Sequence, residues 1–323
     1  MEKAVVVGGS GFVGSHVADH LSNAGYQVTI YDKNSSQWLR NDQEIMFGDV
    51  KDFEKLNEAI VGSEVVFNFA ALSDLNLALE KPLDTININI IGNLNVMESC
   101  RKHGVKRFIY AASSSCYGIP DVYPTPENAE MRPQYPYALT KRLGEELVMH
   151  WAQVYKFPAL SLRFFNVYGT RSRTSGTYGA VFGVFLAQKL ANQPLTIVGD
   201  GKQTRDFTYV ADVVRALVAA AKSERFCDIY NVGSGQTISV NRLIELLDEP
   251  TINIPKRPGE PDCTFADIDK IKEELDWEPK VSIEDGVAEV IKNIDYWRDA
   301  PVWVPESIAT ATQDWFKYLG DDQ

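Results

Sequence analysis

The chain has 323 residues, 45% of them apolar and 24% charged, an ordinary globular composition with room for one large domain or two modest ones. Its formal net charge of −12 argues against a nucleic-acid surface, which needs clustered Lys and Arg. No apolar run approaches the roughly eighteen residues of a membrane span, and no signal-peptide pattern precedes the strand-like run at Ala4, so the expectation is a cytoplasmic protein off the membrane.

The residues Ala4–Val7 form a short β-branched run bounded by glycine, which predicts a buried strand. Gly8, Gly11 and Gly14 follow at G-x-x-G-x-x-G spacing, and Val13, Val17 and Leu21 then lie along one face of a helix ending near Gly25. Val28–Tyr31 predicts a second strand that delivers Asp32. Strand, glycine turn, helix and a strand ending in an acid make a dinucleotide half-site. The turn lets main-chain N–H groups approach a pyrophosphate, Gly14 lets helix and sheet pack closely, and Asp32 accepts from both ribose hydroxyls. Its charge would repel a 2′-phosphate, which favours NAD over NADP, although Lys33 beside it weakens that preference.

Ile45–Phe47 leads to Gly48-Asp49-Val50, where Asp49 either accepts from an adenine amino group or caps a helix over Phe53–Ile60. Val65–Phe69 is another buried strand, and the small residues Ala70 and Ala71 after it leave space for a ligand beyond the strand's carboxyl end. A helical stretch from Pro82 contains four asparagines, poor helix formers, of which Asn89 is expected to bond across the sheet. Phe108–Ala112 ends in Ser113-Ser114-Ser115, which suggests a hydroxyl aimed at substrate. The proline-rich stretch Ile119–Pro136 predicts a loop covering the site. A helix over Tyr137–Tyr155 follows, with Leu139, Leu143, Leu147 and Trp151 on one face and Tyr137 and Lys141 one turn apart.

Leu160–Phe164 is a sixth strand, ending in Phe165-Asn166. Beyond Gly169 the elements shorten, with a last core strand at Ile229–Val232 and helices to the end of the chain. The pattern predicts an α/β fold: a doubly wound parallel sheet of the Rossmann type with a smaller C-terminal substrate-binding lobe. The expected division is residues 1–169, with a return segment of about 205–247, for NAD; 170–204 and 248–299 for substrate; and 300–323 as a helical extension. In that extension Ile308, Ala311, Trp315 and Leu319 form an apolar stripe expected to pack on the same subunit. The four cysteines (Cys100, Cys116, Cys227, Cys263) and the four histidines, all in the first half, show no metal-ligand spacing, so no metal is expected.

Tyrosine and lysine four apart suit oxidation of an alcohol. A free phenol with a pKa of about 10 is a weak base at neutral pH, and a neighbouring ammonium with a cationic nicotinamide is expected to lower it. The phenolate then takes the hydroxyl proton while Ser113 orients the same oxygen.

With Gly8-Gly9-Ser10-Gly11-Phe12-Val13-Gly14, Gly48-Asp49-Val50, Phe69-Ala70-Ala71, Pro136-Tyr137-x-x-x-Lys141, Arg163-Phe164-Phe165-Asn166, Arg205-Asp206-Phe207 and Arg257-Pro258-Gly259-Glu260 in this order, the chain resembles the extended short-chain dehydrogenase/reductases that act on nucleotide sugars, and among them the UDP-glucose/galactose 4-epimerases. The resemblance spans about Lys3 to Ile291. It implies that Gly8, Gly11, Phe12, Val13, Gly14, Asp32, Lys33, Asp49, Val50, Ala70, Ala71, Ser73, Asn89, Tyr137, Lys141 and Phe165 surround NAD. Ser113, Ser114, Asn166, Arg205, Arg257 and Glu260 would meet the substrate, a nucleotide-diphosphate sugar, the arginines and Asn166 at its pyrophosphate; on the residues alone the two arginines could instead be surface ion pairs. Dehydratases and decarboxylases of this kind carry acids where Ser114 and Ser115 stand, so hydride removal at C4 is the implied chemistry, in an epimerase or in a 4-dehydrogenase. The nucleotide stays open among UDP, GDP, CDP and dTDP. The base and sugar would be read near Arg171, Arg173 and Tyr178, and related proteins imply a homodimer through helices near Gly92–Lys102 and Tyr137–Tyr155.

Overall fold

The computed structural model describes residues 2–172 and 180–320; Arg173 and Tyr178 lie outside the described residues. In chain order the first half contains β1 (Lys3–Val7), α1 (Phe12–Asn23), β2 (Gln27–Asp32), β3 (Gln43–Phe47), α2 (Phe53–Ile60), β4 (Val65–Asn68), α3 (Leu75–Glu80), α4 (Pro82–Ile86), a π-helical stretch Asn87–Gly92, α5 (Asn93–His103), β5 (Arg107–Ser113), α6 (Pro136–Tyr155) and β6 (Ala159–Phe164). The second half contains β7 (Asn166–Tyr168), α7 (Val181–Leu190), β8 (Leu195–Val198), β9 (Thr204–Arg205), β10 (Phe207–Tyr209), α8 (Val210–Lys222), β11 (Asp228–Val232), β12 (Ile238–Ser239), α9 (Val240–Leu247), β13 (Thr251–Ile254), α10 (Asp269–Leu275), α11 (Ile283–Lys292), α12 (Pro305–Ala311) and α13 (Gln313–Leu319).

Seven strands form one parallel sheet in the order β11-β6-β5-β4-β1-β2-β3. Ala4 to Val7 are fully buried, as a central strand covered on both faces requires. One face is covered by α1 and α8, through Val17, Leu21, Val213 and Leu217. The other is covered by α2, α5 and α6, through Leu56, Val96 and Val148. Chain direction across the sheet reverses between β1 and β4, which creates the crevice where ligands bind in such folds. A third apolar cluster around Phe182, Phe185, Leu195, Leu243 and Trp297 lies in the second half, and β11 returns from there to the sheet edge beside β6. Ile308 joins that cluster and Trp315 is buried, so the C-terminal stripe packs on its own chain.

The structure shows which face of α6 meets the sheet and corrects one local expectation, the cap of α2. The face of α6 turned to the sheet is Ala138, Lys141, Gly144, Glu145, Val148 and Ala152, whereas Leu139 is exposed and Leu143, Leu147 and Trp151 are only half-buried. Small residues occupy the inner face because the sheet comes close: a Cβ on Gly144 would lie 2.3 Å from the Tyr110 hydroxyl. Leu147 and Trp151 still pack at the edge of the core, and Leu139 points outward. The cap of α2 is Asp52, which accepts from the Lys55 N–H at 3.1 Å, while Asp49 accepts from Lys51 N–H at 2.9 Å within its own turn.

Beneath the sheet's carboxyl end, Arg163 on β6 and Glu145 on α6 pair at 2.5 Å with only 2% of each side chain exposed. Arg163 also donates to the Tyr117 hydroxyl at 2.6 Å and the Glu127 carbonyl at 2.7 Å, and Ser161 donates to Glu145 at 2.8 Å. Burial alone disfavours the guanidinium charge, and the Glu145 carboxylate outweighs it. Arg163→Leu strands that carboxylate in the core and is expected to cost about 3–5 kcal/mol, read as a lower urea midpoint.

Candidate active site

At the crevice between β1 and β4, Gly8 adopts φ +80°, and a Cβ there would lie 2.7 Å from the Ala70 N–H nitrogen. Gly14 is equally constrained: its Cβ would meet the Gly8 carbonyl oxygen at 2.5 Å, so this glycine seats the helix on the turn itself. Gly11 is the N-cap of α1 and supplies no side-chain cap, and the first turn, with Phe12, Val13 and Gly14, holds no acid. The leading N–H groups of α1 are thereby left for an anion. Asp32 ends β2, one oxygen accepting from Ser10 N–H at 3.0 Å and the other from Asn34 N–H at 2.9 Å. Each oxygen keeps a lone pair for a ribose hydroxyl. Lys33 is exposed beside it, and Ser73 is exposed beyond the half-buried Ala71. Tyr31 donates to the Asp49 carbonyl at 2.9 Å, and Val50 packs where a Cβ on Gly92 would strike it. These donors and small residues fit a dinucleotide.

Asn89 is fully engaged inside the protein instead of across the sheet. Its oxygen accepts from Leu72 N–H at 2.7 Å, and its amide donates to the Leu72 carbonyl at 3.1 Å and to Thr140 Oγ1 at 2.9 Å. It ties the loop after β4 to the helix of Tyr137, and Asn93 does a parallel task between Asn68 and the Gly144 carbonyl. Phe165 is buried against Tyr117, with ring centroids 6.2 Å apart.

Ser113 ends β5 opposite the start of α6. Its oxygen accepts from both the Ser115 hydroxyl, at 2.9 Å, and the Ser115 N–H, at 3.2 Å. With both lone pairs taken, the Ser113 proton is left for its remaining partner, the Tyr137 phenol. Ser114 sits half-buried at the head of the following 3₁₀ turn. Lys141 is buried, donates from Nζ to the Ala111 carbonyl at 2.7 Å, and lies 5.9 Å from the Tyr137 ring centroid. Desolvation pushes the Lys141 ammonium down to about 8. Desolvation also pushes the Tyr137 phenol up to about 12, against the bond from Ser113. The expected lowering of the phenol is therefore absent from the protein alone, because burial outweighs the influence of Ser113.

On the substrate side, Arg205 and Glu260 line one cavity of about 390 Å³ with Lys202 and Lys256 at its rim. Arg205 donates to the Thr204 carbonyl at 2.9 Å, and burial pushes its guanidinium down. Arg257 pairs with Glu260 at 2.9 Å, partly buried. Asn166 accepts from Thr264 at 2.7 Å. Behind Arg205, the fully buried Asp206 accepts from Ser234 N–H at 2.6 Å, Ser234 Oγ at 2.7 Å and Ala266 N–H at 3.0 Å. The stretch Ile119–Pro136 is a fixed wall more than a cover: Thr125 exchanges backbone bonds with Phe265 and Asp267, and Arg142 holds the Met131 carbonyl. Sequence reasoning missed Thr140, Thr264 and Asp206 as supports, since a single polar residue gives no sign of which distant partner it will meet.

Residues 4–233 match the profile of the NAD dependent epimerase/dehydratase family. The chain belongs to that family. Among solved structures of family members, a UDP-glucose 4-epimerase of Thermotoga maritima, determined with UDP-glucose, is 33% identical with a TM-score of 0.84, covering 92% of this chain and 98% of its own. A UDP-glucuronic acid 4-epimerase of Bacillus cereus, in complex with UDP-glucuronic acid and NAD, is 29% identical with a TM-score of 0.84, covering 91% and 99%. A family relative with another activity, the UDP-N-acetyl-alpha-D-glucosaminuronate decarboxylase of Bacillus cytotoxicus, is 31% identical over 90% of this chain and 97% of its own.

The phenol's electrostatics give a direct test. A bound nicotinamide cation adds positive charge near Tyr137, so the phenol should ionise well below 12 in the oxidised-NAD form and move back up on reduction. Phenolate absorbance, compared between wild type and Tyr137→Phe in both redox states, measures it; equal titration in the two states is the contrary result.

Proposed function

We propose that the protein is an NAD-dependent nucleotide-sugar 4-epimerase acting on a UDP-hexose. The observation that carries this reading is the set at the end of β5: Ser113 beside the Tyr137 phenol, whose pKa it lowers, Lys141 one turn on, and serines instead of acids at positions 114 and 115. NAD, when bound, supplies the oxidant for the sugar's C4 carbon. Tyr137 takes the proton of the C4 hydroxyl, Ser113 aligns that oxygen, and Lys141 supports the phenolate. The helix N-terminus at Gly11 would hold the NAD pyrophosphate and Asp32 its ribose. Asn166, Arg205 and Arg257 would hold the sugar diphosphate, the bidentate donors that a diphosphate needs on an acidic protein. A 4-keto sugar kept in the site can turn over and regain its hydrogen on the other face. Serines at 114 and 115 leave no side chain there able to act as the acid or base for loss of water or of carbon dioxide.

In this reading residues 1–169, with about 205–247, would serve NAD, 170–204 and 248–299 the sugar nucleotide, and 300–323 would be a helical extension. The thiols, none in a disulfide among the described residues, suit a reducing, cytoplasmic setting. Among the described residues no helix is long and apolar enough to cross a membrane.

Tyr137→Phe is expected to lower kcat by roughly two to four decades while NAD stays bound. Turnover of UDP-glucose assayed by product isomer and by absorbance near 340 nm separates the outcomes: isomer without absorbance means epimerisation, and accumulating absorbance means release of the keto sugar. A homodimer through the outward face of α6 belongs to the same reading, supported by the exposed Leu139, Val154 and Tyr155 and by Ile91 nearby in the chain's preceding helical stretch. Leu139→Glu with Val154→Glu should shift sedimentation from dimer to monomer.

A further inference from the structure

The chemistry above makes no use of the last two helices, yet one of their side chains reaches the site. Trp315 on α13 is buried, and its indole N–H donates to the Pro258 carbonyl at 2.8 Å, inside the turn that carries Arg257 and Glu260. Its ring packs on Tyr135 with centroids 5.2 Å apart, and Tyr135 is the N-cap of α6, two residues ahead of Tyr137. Tryptophan offers one large apolar face and one donor, and here both are engaged. The same turn also comes close to the segment before α6, since a Cβ on Gly259 would lie 3.8 Å from that of Gln134. One side chain from the end of the chain thus ties the arginine-bearing turn to the head of the catalytic helix.

Tyr135 stands between these parts. Its phenol lies within electrostatic reach of Tyr137, Glu260, Arg205 and Arg257. Burial pushes its pKa up, so the hydroxyl keeps its proton and remains a donor. No hydrogen bond among the described residues ends on that hydroxyl. A rigid ring with an uncommitted donor, midway between a general base and a pair of arginines, is placed to meet the group that joins a sugar to its diphosphate.

We propose that Tyr135 contacts the substrate, donating a hydrogen bond to the hexosyl-diphosphate, and that Trp315 is the positioning residue that seats it. The proposal rests on the functional reading given above. It gives the C-terminal helices a task in substrate selection: they set the distance between the diphosphate turn and the reacting sugar carbon.

The test uses the NAD-loaded protein with UDP-glucose and UDP as probes, in calorimetry and in turnover. Tyr135→Phe keeps the ring and removes only the donor; it should raise Kd and KM for UDP-glucose about tenfold, more than it lowers kcat, the effect of one hydrogen bond to a charged or polar ligand group. Trp315→Ala should raise Kd at least as much, with NAD content unchanged, and Trp315→Phe should fall between it and wild type. Adding Tyr135→Phe to Trp315→Ala should cost nothing further, because the second residue acts through the first. Equal loss with UDP alone assigns the contact to the diphosphate, and loss confined to UDP-glucose assigns it to the hexose. Unchanged binding in Tyr135→Phe overturns the contact, and multiplying losses in the double variant overturn the positioning role. Wild-type protein that binds neither probe overturns the functional reading itself, and this proposal with it.

Discussion

The constraint on which the rest depends is the desolvation of two ionisable groups one helical turn apart. Lys141 is buried and Tyr137 half-buried beside it, and desolvation drives each toward its neutral form, the amine to about 8 and the phenol to about 12. A phenol in that condition holds its proton at neutral pH. Positive charge brought close would favour loss of that proton, and an oxidised nicotinamide would supply it. The fold holds Lys141 through its bond to the Ala111 carbonyl and sets Ser113 beside the phenol.

Around this pair the architecture supplies rigidity at several removes. Ser115 takes both lone pairs of Ser113 and so fixes the direction of its proton. Asn89 binds the loop after β4 to α6 through Thr140. The Arg163–Glu145 pair locks α6 onto β6, and the same guanidinium reaches the Glu127 carbonyl in the wall of the site. Polar networks buried this deeply are costly to leave half-made, which favours a single arrangement of strand, helix and wall. Their cost is offset by the apolar layers on both faces of the sheet.

Much of this was legible in the amino-acid order. Buried strands such as Ala4–Val7 announce themselves as β-branched runs, and the glycine turn with Asp32 is local enough to read directly. The two-layer cover and the return of β11 follow from alternation of strands and helices. Other features were not legible, for physical reasons. The inner face of α6 mixes Ala138, Gly144 and Ala152 with Lys141, Glu145 and Val148 because the sheet approaches closely, so hydrophobicity alone does not mark it. The π-helical stretch at Asn87–Gly92 has no sequence signature distinct from α-helix. Strand pairs of two or three residues, such as β9 with β12, are too short for any period to register. The direction of the phenol's shift depends on how completely three separate segments exclude water, which no single stretch of chain encodes.

The position of β11 has a consequence for how the molecule is made. Six strands of the sheet are complete once Phe164 has been synthesised, but β6 acquires its outer neighbour only with Asp228–Val232. Until that later segment emerges from the ribosome, β6 presents an open row of unpaired amides and carbonyls, the kind of surface that recruits strands from other molecules. A nascent chain halted between these two points would be a template for aggregation, so a strand from the second half of the chain also serves, during biosynthesis, to close the sheet begun by the first.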